Sequence, residues 1–141
     1  MTRKGPDIQE IREVAEELSA EIVRTPVIRC AALEALLGEG TEVHAKLEFL
    51  QCTGTFKARG ALATLRNLSK KQLGAGVTAV SAGNHAIATA FAASTMGTTA
   101  KVVMIGSANP SRIASCRAFG GEVVLVDDAH EAFAVAERIQ E

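Results

Sequence analysis

The sequence predicts an α/β fold: a parallel sheet with helices on both faces, giving three layers, α/β/α. Three observations carry that expectation. The runs Val77–Val80, Ala100–Ile105 and Glu122–Val126 are short, apolar and rich in β-branched residues. Stretches of about ten residues with helical periodicity separate them. Gly97 and Gly120 stand where those helices need C-caps. Strands spaced this way imply right-handed crossovers between parallel neighbours. With 48% hydrophobic content in 141 residues, the chain can bury one sizeable core, so one domain, or one domain and a piece of another, is expected.

Taken in order, Asp7 caps a helix with Glu10 three residues on. Ile8, Ile11, Val14, Ala15, Leu18 and Ile22 then recur at helical spacing, which carries that helix to about Arg24. Thr25-Pro26 disfavours more helix and leaves Val27-Ile28 as a short extended piece at most. Ala31 to Leu37 reads as a short helix closed by Gly38, with Gly38-Glu39-Gly40 as a turn. Val43, Ala45 and Leu47 alternate with Glu42, His44 and Lys46, a strand with one covered face that puts His44 toward solvent. A helix from Phe56 to Leu68 precedes the first strand of the parallel sheet. Helices from His85 to Met96, from Ser111 to Phe119 and onward from Ala129 fill the remaining intervals.

Charge and cysteine usage remove several function classes. Fifteen basic and sixteen acidic residues are spread along the chain, and the net charge of −1 leaves no basic stripe for nucleic acid or an anionic membrane. The opening Met1 to Asp7 lacks the apolar core of a signal peptide, and no later run has the length of a membrane span. A small-molecule partner and a soluble, cytoplasmic protein are the expectations. Cys30, Cys52 and Cys116 are widely spaced and never paired as Cys-x-x-Cys, which argues against a disulfide framework or a zinc site and fits a reducing compartment.

Chemistry concentrates in two segments. Thr53-Gly54-Thr55-Phe56-Lys57-Ala58-Arg59-Gly60 places Lys57 at the mouth of a helix, where its amine can form a Schiff base with an aldehyde cofactor. Ser81-Ala82-Gly83-Asn84-His85 follows a strand end and opens a helix, so backbone N–H groups and the helix dipole converge on an anion such as a carboxylate or phosphate. Ser81 adds a hydroxyl, Gly83 lets the backbone approach a ligand, and Asn84 can cap the helix or hydrogen-bond a phenolic oxygen. His85 and Phe56 read first as packing residues, Arg59 as a salt-bridging helix residue and Cys52 as a small apolar filler.

Lys46-Leu47-Glu48-Phe49-Leu50-Gln51, the Thr53 to Ala61 segment and Ser81 to Ala86 together resemble the threonine dehydratase and serine racemase branch of the fold-type II pyridoxal-phosphate enzymes. Arg24-Thr25-Pro26 resembles that family's N-terminal pattern, and the resemblance runs from about Ile8 onward. It implies pyridoxal 5'-phosphate held by Lys57 with Phe56 beside its ring, a substrate carboxylate bound by Ser81, Ala82, Gly83, Asn84 and His85, and Asn84 touching the cofactor's ring oxygen. Thr55 stands where the family usually has serine, and Met104-Ile105-Gly106 replaces a Met-Pro turn.

The resemblance also implies a division at residue 52: residues 1–52 start a large domain, and residues 53–141 form the small α/β domain. The glycine-rich phosphate loop and the group facing the pyridine nitrogen belong to a part of that large domain not among these 141 residues. Gly74-Ala75-Gly76 and Gly120-Gly121 do not substitute for that loop. The implied activity is elimination from L-threonine or L-serine to a 2-oxo acid and ammonia, with serine racemization as an alternative. A non-catalytic, self-associating fragment, most simply a two-fold dimer, is the rival reading.

Overall fold

The computed structural model describes residues 5–140. The expectation about the opening of the chain therefore falls partly on Met1 to Lys4, outside the described residues. Helix α1 (Ile8–Glu17) starts in a capping box: the Asp7 carboxylate accepts from the N–H groups of Gln9 and Glu10, and Glu10 accepts from the N–H of Asp7. It ends at Glu17, several residues before the expected Arg24. Leu18 adopts the C-cap, and its carbonyl accepts from both Glu21 and Ile22, so the apolar series continues through a turn instead of a helix. The buried side chain of Gln51 then holds Val23 by both its N–H and its C=O, each at 2.9 Å.

Strand β1 (Val27–Arg29) pairs antiparallel with β2 (His44–Lys46), Ile28 lying opposite Ala45, and helix α2 (Ala31–Leu37) fills the connection. The Val27-Ile28 piece is thus a paired strand, and β2 is shorter than the alternation from Val43 to Leu47 suggested. His44 is exposed on it, as expected. One turn of 3-10 helix, Glu48–Leu50, follows.

Helix α3 (Lys57–Arg66) fills the interval expected to be helical from Phe56 to Leu68, ending two residues early, and a further, unexpected helix α4 (Lys70–Ala75) follows it. Ser69 and Gln72 form a capping box that starts α4, so the Ser-x-x-Gln spacing is the sequence signal for this second helix. Strands β3 (Val77–Val80), β4 (Ala100–Ile105) and β5 (Glu122–Val126) pair in parallel in the order β3-β4-β5, with helices α5 (Asn84–Thr95) and α6 (Pro110–Ala118) as crossovers and α7 (Ala129–Gln140) last.

Side-chain alternation on β4 separates two cores. Val102 and Met104 face a cluster built from α3, α5 and Cys116 of α6, whereas Val103 faces Ala132 and Ala136 of α7 on the other side. Helices therefore cover both faces. Leu18, with Val14 and Ile22 beside it, brings the N-terminal segment onto the first core, and Glu21 forms an ion pair with Arg66 at the end of α3. No helix among the described residues is long and apolar enough to cross a membrane.

Candidate active site

Lys57 is the first residue of α3, preceded by Phe56 at the N-cap position. The loop before it turns at Gly54, whose φ of +71° suits glycine and whose N–H donates to the carbonyl of Gln51 at 2.7 Å. Lys57 is exposed, and its ammonium stands 5.4 Å from the centroid of the Phe56 ring. That distance is a cation–π contact. Phe56 is itself 59% exposed, so it is not the core residue first expected. The inward position of this first turn belongs instead to Ala58, which is fully buried.

A cavity of about 450 Å³ opens beside the lysine. Phe56, Lys57 and Ala61 of the α3 region line one wall, Val77 and Ala79 of β3 the floor, and His85 and Thr89 of α5 the other wall. His85 is exposed and borders this cavity, which corrects the packing role expected for it. The volume lies within the range of small-molecule sites, and the walls are mainly apolar with a primary amine and an imidazole at the rim. This donor set fits an aromatic aldehyde cofactor: apolar walls suit its ring and an accessible amine suits its carbonyl.

Ser81, Ala82, Gly83 and Asn84 do not line that cavity; they form the turn immediately before His85. The N–H of Ser81 donates to the carbonyl of Val103, which ties the turn to the central strand, and the Ser81 hydroxyl oxygen accepts from Gly83 N–H at 3.2 Å. Gly83 is the N-cap of α5 with no side-chain cap, and Asn84 is an exposed first-turn residue instead of the cap. The free N–H groups of that first turn remain available to an anion. Arg112 in the first turn of α6 adds a charge that sequence reading missed: a β-carbon at position 83 would lie 3.6 Å from its Nη1. Nothing in the linear sequence connects two residues separated by a whole strand.

Arg59 takes the salt-bridging role expected of it. It pairs with Glu48 at 2.8 Å, and that hydrogen bond, aided by Thr25, holds the Glu48 carboxyl at about 2 against the opposing effect of burial. The same pair raises the Arg59 pKa. Cys52, expected as a small apolar filler, is exposed, with its Sγ 3.4 Å from the carbonyl of Glu21. Cys116 is the buried thiol, and burial pushes its pKa up. Among the described residues no group of His, Cys, Asp and Glu side chains could hold a metal ion.

Comparison with known proteins supplies the family. Residues 18–141 match the family described as pyridoxal-phosphate dependent enzyme. A phenylserine dehydratase from Ralstonia pickettii is 47% identical over 135 residues, covering 96% of this chain and 41% of the relative. An L-threonine ammonia-lyase from Thermotoga maritima is 38% identical over 95% of this chain and 33% of its own length. The solved structure of maize serine racemase superposes with a TM-score of 0.88 at 33% identity, over 97% of this chain and 41% of that one. That of a processed threonine deaminase from Solanum lycopersicum gives 0.74 at 30% identity, over 96% and 42%. The chain thus spans about two fifths or less of the length of these relatives. The lysine at a helix start, the anion-ready turn after β3 and the match over residues 18–141 agree, and this chain belongs to the family of pyridoxal-phosphate dependent enzymes.

Proposed function

We propose that this chain carries the lysine-bearing part of an ammonia-lyase that acts on 3-hydroxy amino acids, of which L-threonine and L-serine are the first to test. The observation that carries the proposal is the shared cavity of Lys57 and His85, with the Ser81–Asn84 turn adjoining it. Relatives described as phenylserine dehydratase, L-threonine ammonia-lyase and L-threo-3-hydroxyaspartate ammonia-lyase support the substrate class, since the substrates in their names share a hydroxyl on the β-carbon.

Pyridoxal phosphate, when bound, supplies an electron sink for the bonds at the substrate α-carbon. The protein's own groups would do the rest. The Lys57 amine would hold the cofactor, and as a free amine it would accept the substrate α-proton. Backbone N–H groups at the start of α5, with Ser81, Ala82, Gly83, Asn84 and His85, would hold the substrate carboxylate, and Asn84 would hydrogen-bond the cofactor's ring oxygen. Phe56 would lie beside the cofactor's ring. Among the described residues lining the cavity, Lys57 and His85 are the only groups able to carry positive charge. The cofactor phosphate would therefore stay largely hydrated in this chain alone, which supports weak cofactor binding and no detectable turnover by these 141 residues. The division into segments 1–52 and 53–141 and a cytoplasmic setting, which the free cysteines fit, belong to the same proposal.

Borohydride reduction of the protein with pyridoxal phosphate, followed by peptide mapping, tests the assignment. Label concentrated on Lys57 supports it, and label mainly on Lys46, Lys70, Lys71 or Lys101 refutes it. Ammonia release from L-threonine, L-serine and phenylserine by the full-length protein tests the reaction. Serine racemase relatives favour a second reading, in which L-serine yields D-serine without ammonia. Self-association through the N-terminal segment is the third: among the described residues, ten of the thirteen large apolar side chains left exposed lie between Ile8 and Leu50. Light scattering at several concentrations, with a shortened chain starting at Thr53 as comparison, distinguishes it.

A further inference from the structure

Helix α3, like α2 and α5, begins without a side-chain cap. Asp7, Ser69 and Asn109 cap α1, α4 and α6 with side-chain oxygens. At the start of α3 no side chain caps the helix, and the Lys57 N–H meets only the Thr55 hydroxyl, at 3.4 Å. An uncapped first turn frays readily, yet this one presents the lysine.

Long-range contacts replace the missing cap. Arg59 grips Glu48 with two prongs, Nε to Oε2 at 2.9 Å and Nη2 to Oε1 at 2.8 Å, and Nη2 also donates to the carbonyl of Val23 at 3.0 Å. Glu48 is braced in turn by the buried Thr25, whose hydroxyl donates to it at 2.5 Å and accepts from Lys46 Nζ at 2.7 Å. Gln51 ties the same Val23 to the segment that leads into α3. Lys57 and Arg59 are two positions apart, about 200° around a helix of 3.6 residues per turn. The anchor thus grips one side of the first turn and leaves the lysine free on the other.

We propose that Arg59 and Glu48 are positioning residues for Lys57: their ion pair fixes the direction in which α3 starts, in place of a cap. The inference rests on the reading of Lys57 as the cofactor-bearing lysine. Two measurements on Arg59→Ala, Glu48→Gln and Arg59→Lys test it. The first is amide hydrogen exchange without cofactor. Exchange at Phe56 to Gly60 rises at least tenfold in Arg59→Ala and rises less in Glu48→Gln, while the amides of α5 keep their protection. The second is borohydride labelling with pyridoxal phosphate, in which the share of label on Lys57 falls severalfold in Arg59→Ala. Arg59→Lys recovers only part of both signals, because an ammonium cannot span two carboxylate oxygens as a guanidinium does.

Unchanged exchange at Phe56 to Gly60 in Arg59→Ala overturns the proposal. So does loss of α5 protection in both Arg59→Ala and Glu48→Gln, which would make the pair a support of the whole fold instead of a local anchor. Should the unaltered protein take its label on another lysine, the reading of Lys57 fails, and the exchange arm still decides whether the pair anchors α3.

Discussion

Residues 8–50 and residues 57–140 are held together by different means. Helices α1 and α2 contain no buried residue, and β1 and β2 form an isolated pair. In α5, by contrast, seven of twelve residues are buried, from Ala86 to Ala93, and β4 is covered on both faces. The second region is stabilised mainly by removal of apolar surface from water. The first is attached by one buried apolar side chain, Leu18, and by polar contacts that reach across sequence: Gln51 to Val23, Arg59 to Glu48, and Arg66 to Glu21. The lysine stands where the two meet. A region with its own core sets where α3 lies, and a region without one sets how α3 begins.

The sharpest way to test this contrast is at the junction. Lys57→Ala is expected to reduce borohydride-fixed label to background while changing the unfolding free energy by less than about 0.5 kcal/mol, because the side chain is exposed. Denaturant titration beside labelling checks both halves. Next in size is Leu62→Ala, which empties a fully buried position in α3 and should cost about 2–5 kcal/mol in a urea melt. A cost under about 1 kcal/mol would break the claim that the second region depends on its core.

Acid probes the first region. Glu48 has a carboxyl held at about 2 against an ordinary 4.5, so its contribution is complete above pH 4.5 and fades as pH falls toward 2. Part of the pair is solvent-accessible, which limits the loss to about 2 kcal/mol. Exchange of the Val23 and Cys52 amides should rise across that window before β4 responds, and Glu48→Gln should remove most of the dependence. The smallest effect is expected for Leu36→Ala: that side chain is 82% exposed, and a change within about 0.5 kcal/mol in the same urea melt would match its lack of a core.

The same division explains what can be read from sequence. Strands β3, β4 and β5 have the bounds expected for them, because short β-branched runs between helical stretches need little information from elsewhere. Helix α1 ends early because Gln51, far along the chain, captures Val23, and periodicity has no access to that contact. The start of α4 is legible in Ser69 and Gln72, although its six residues are too few to show a helical period. Lys57 and the Ser81–Asn84 turn can be singled out because their order along the chain, lysine at a helix start and polar turn after a strand, carries the chemistry. The exposure of Phe56 and His85, and the approach of Arg112 to Gly83, depend on which helices become neighbours.

The ion pair between Glu21 and Arg66 spans 45 positions, and that separation has a consequence during synthesis. At about 5–20 residues per second, the ribosome extends the chain for roughly 2–9 s between making Glu21 and making its partner. For most of that interval α1 has nothing to dock on, since Leu62 and Leu65, which share a core with Leu18, are made only at its end. The segment made earlier is therefore the later to find its place, and the nascent chain carries Ile8, Ile11 and Val14 uncovered until α3 arrives.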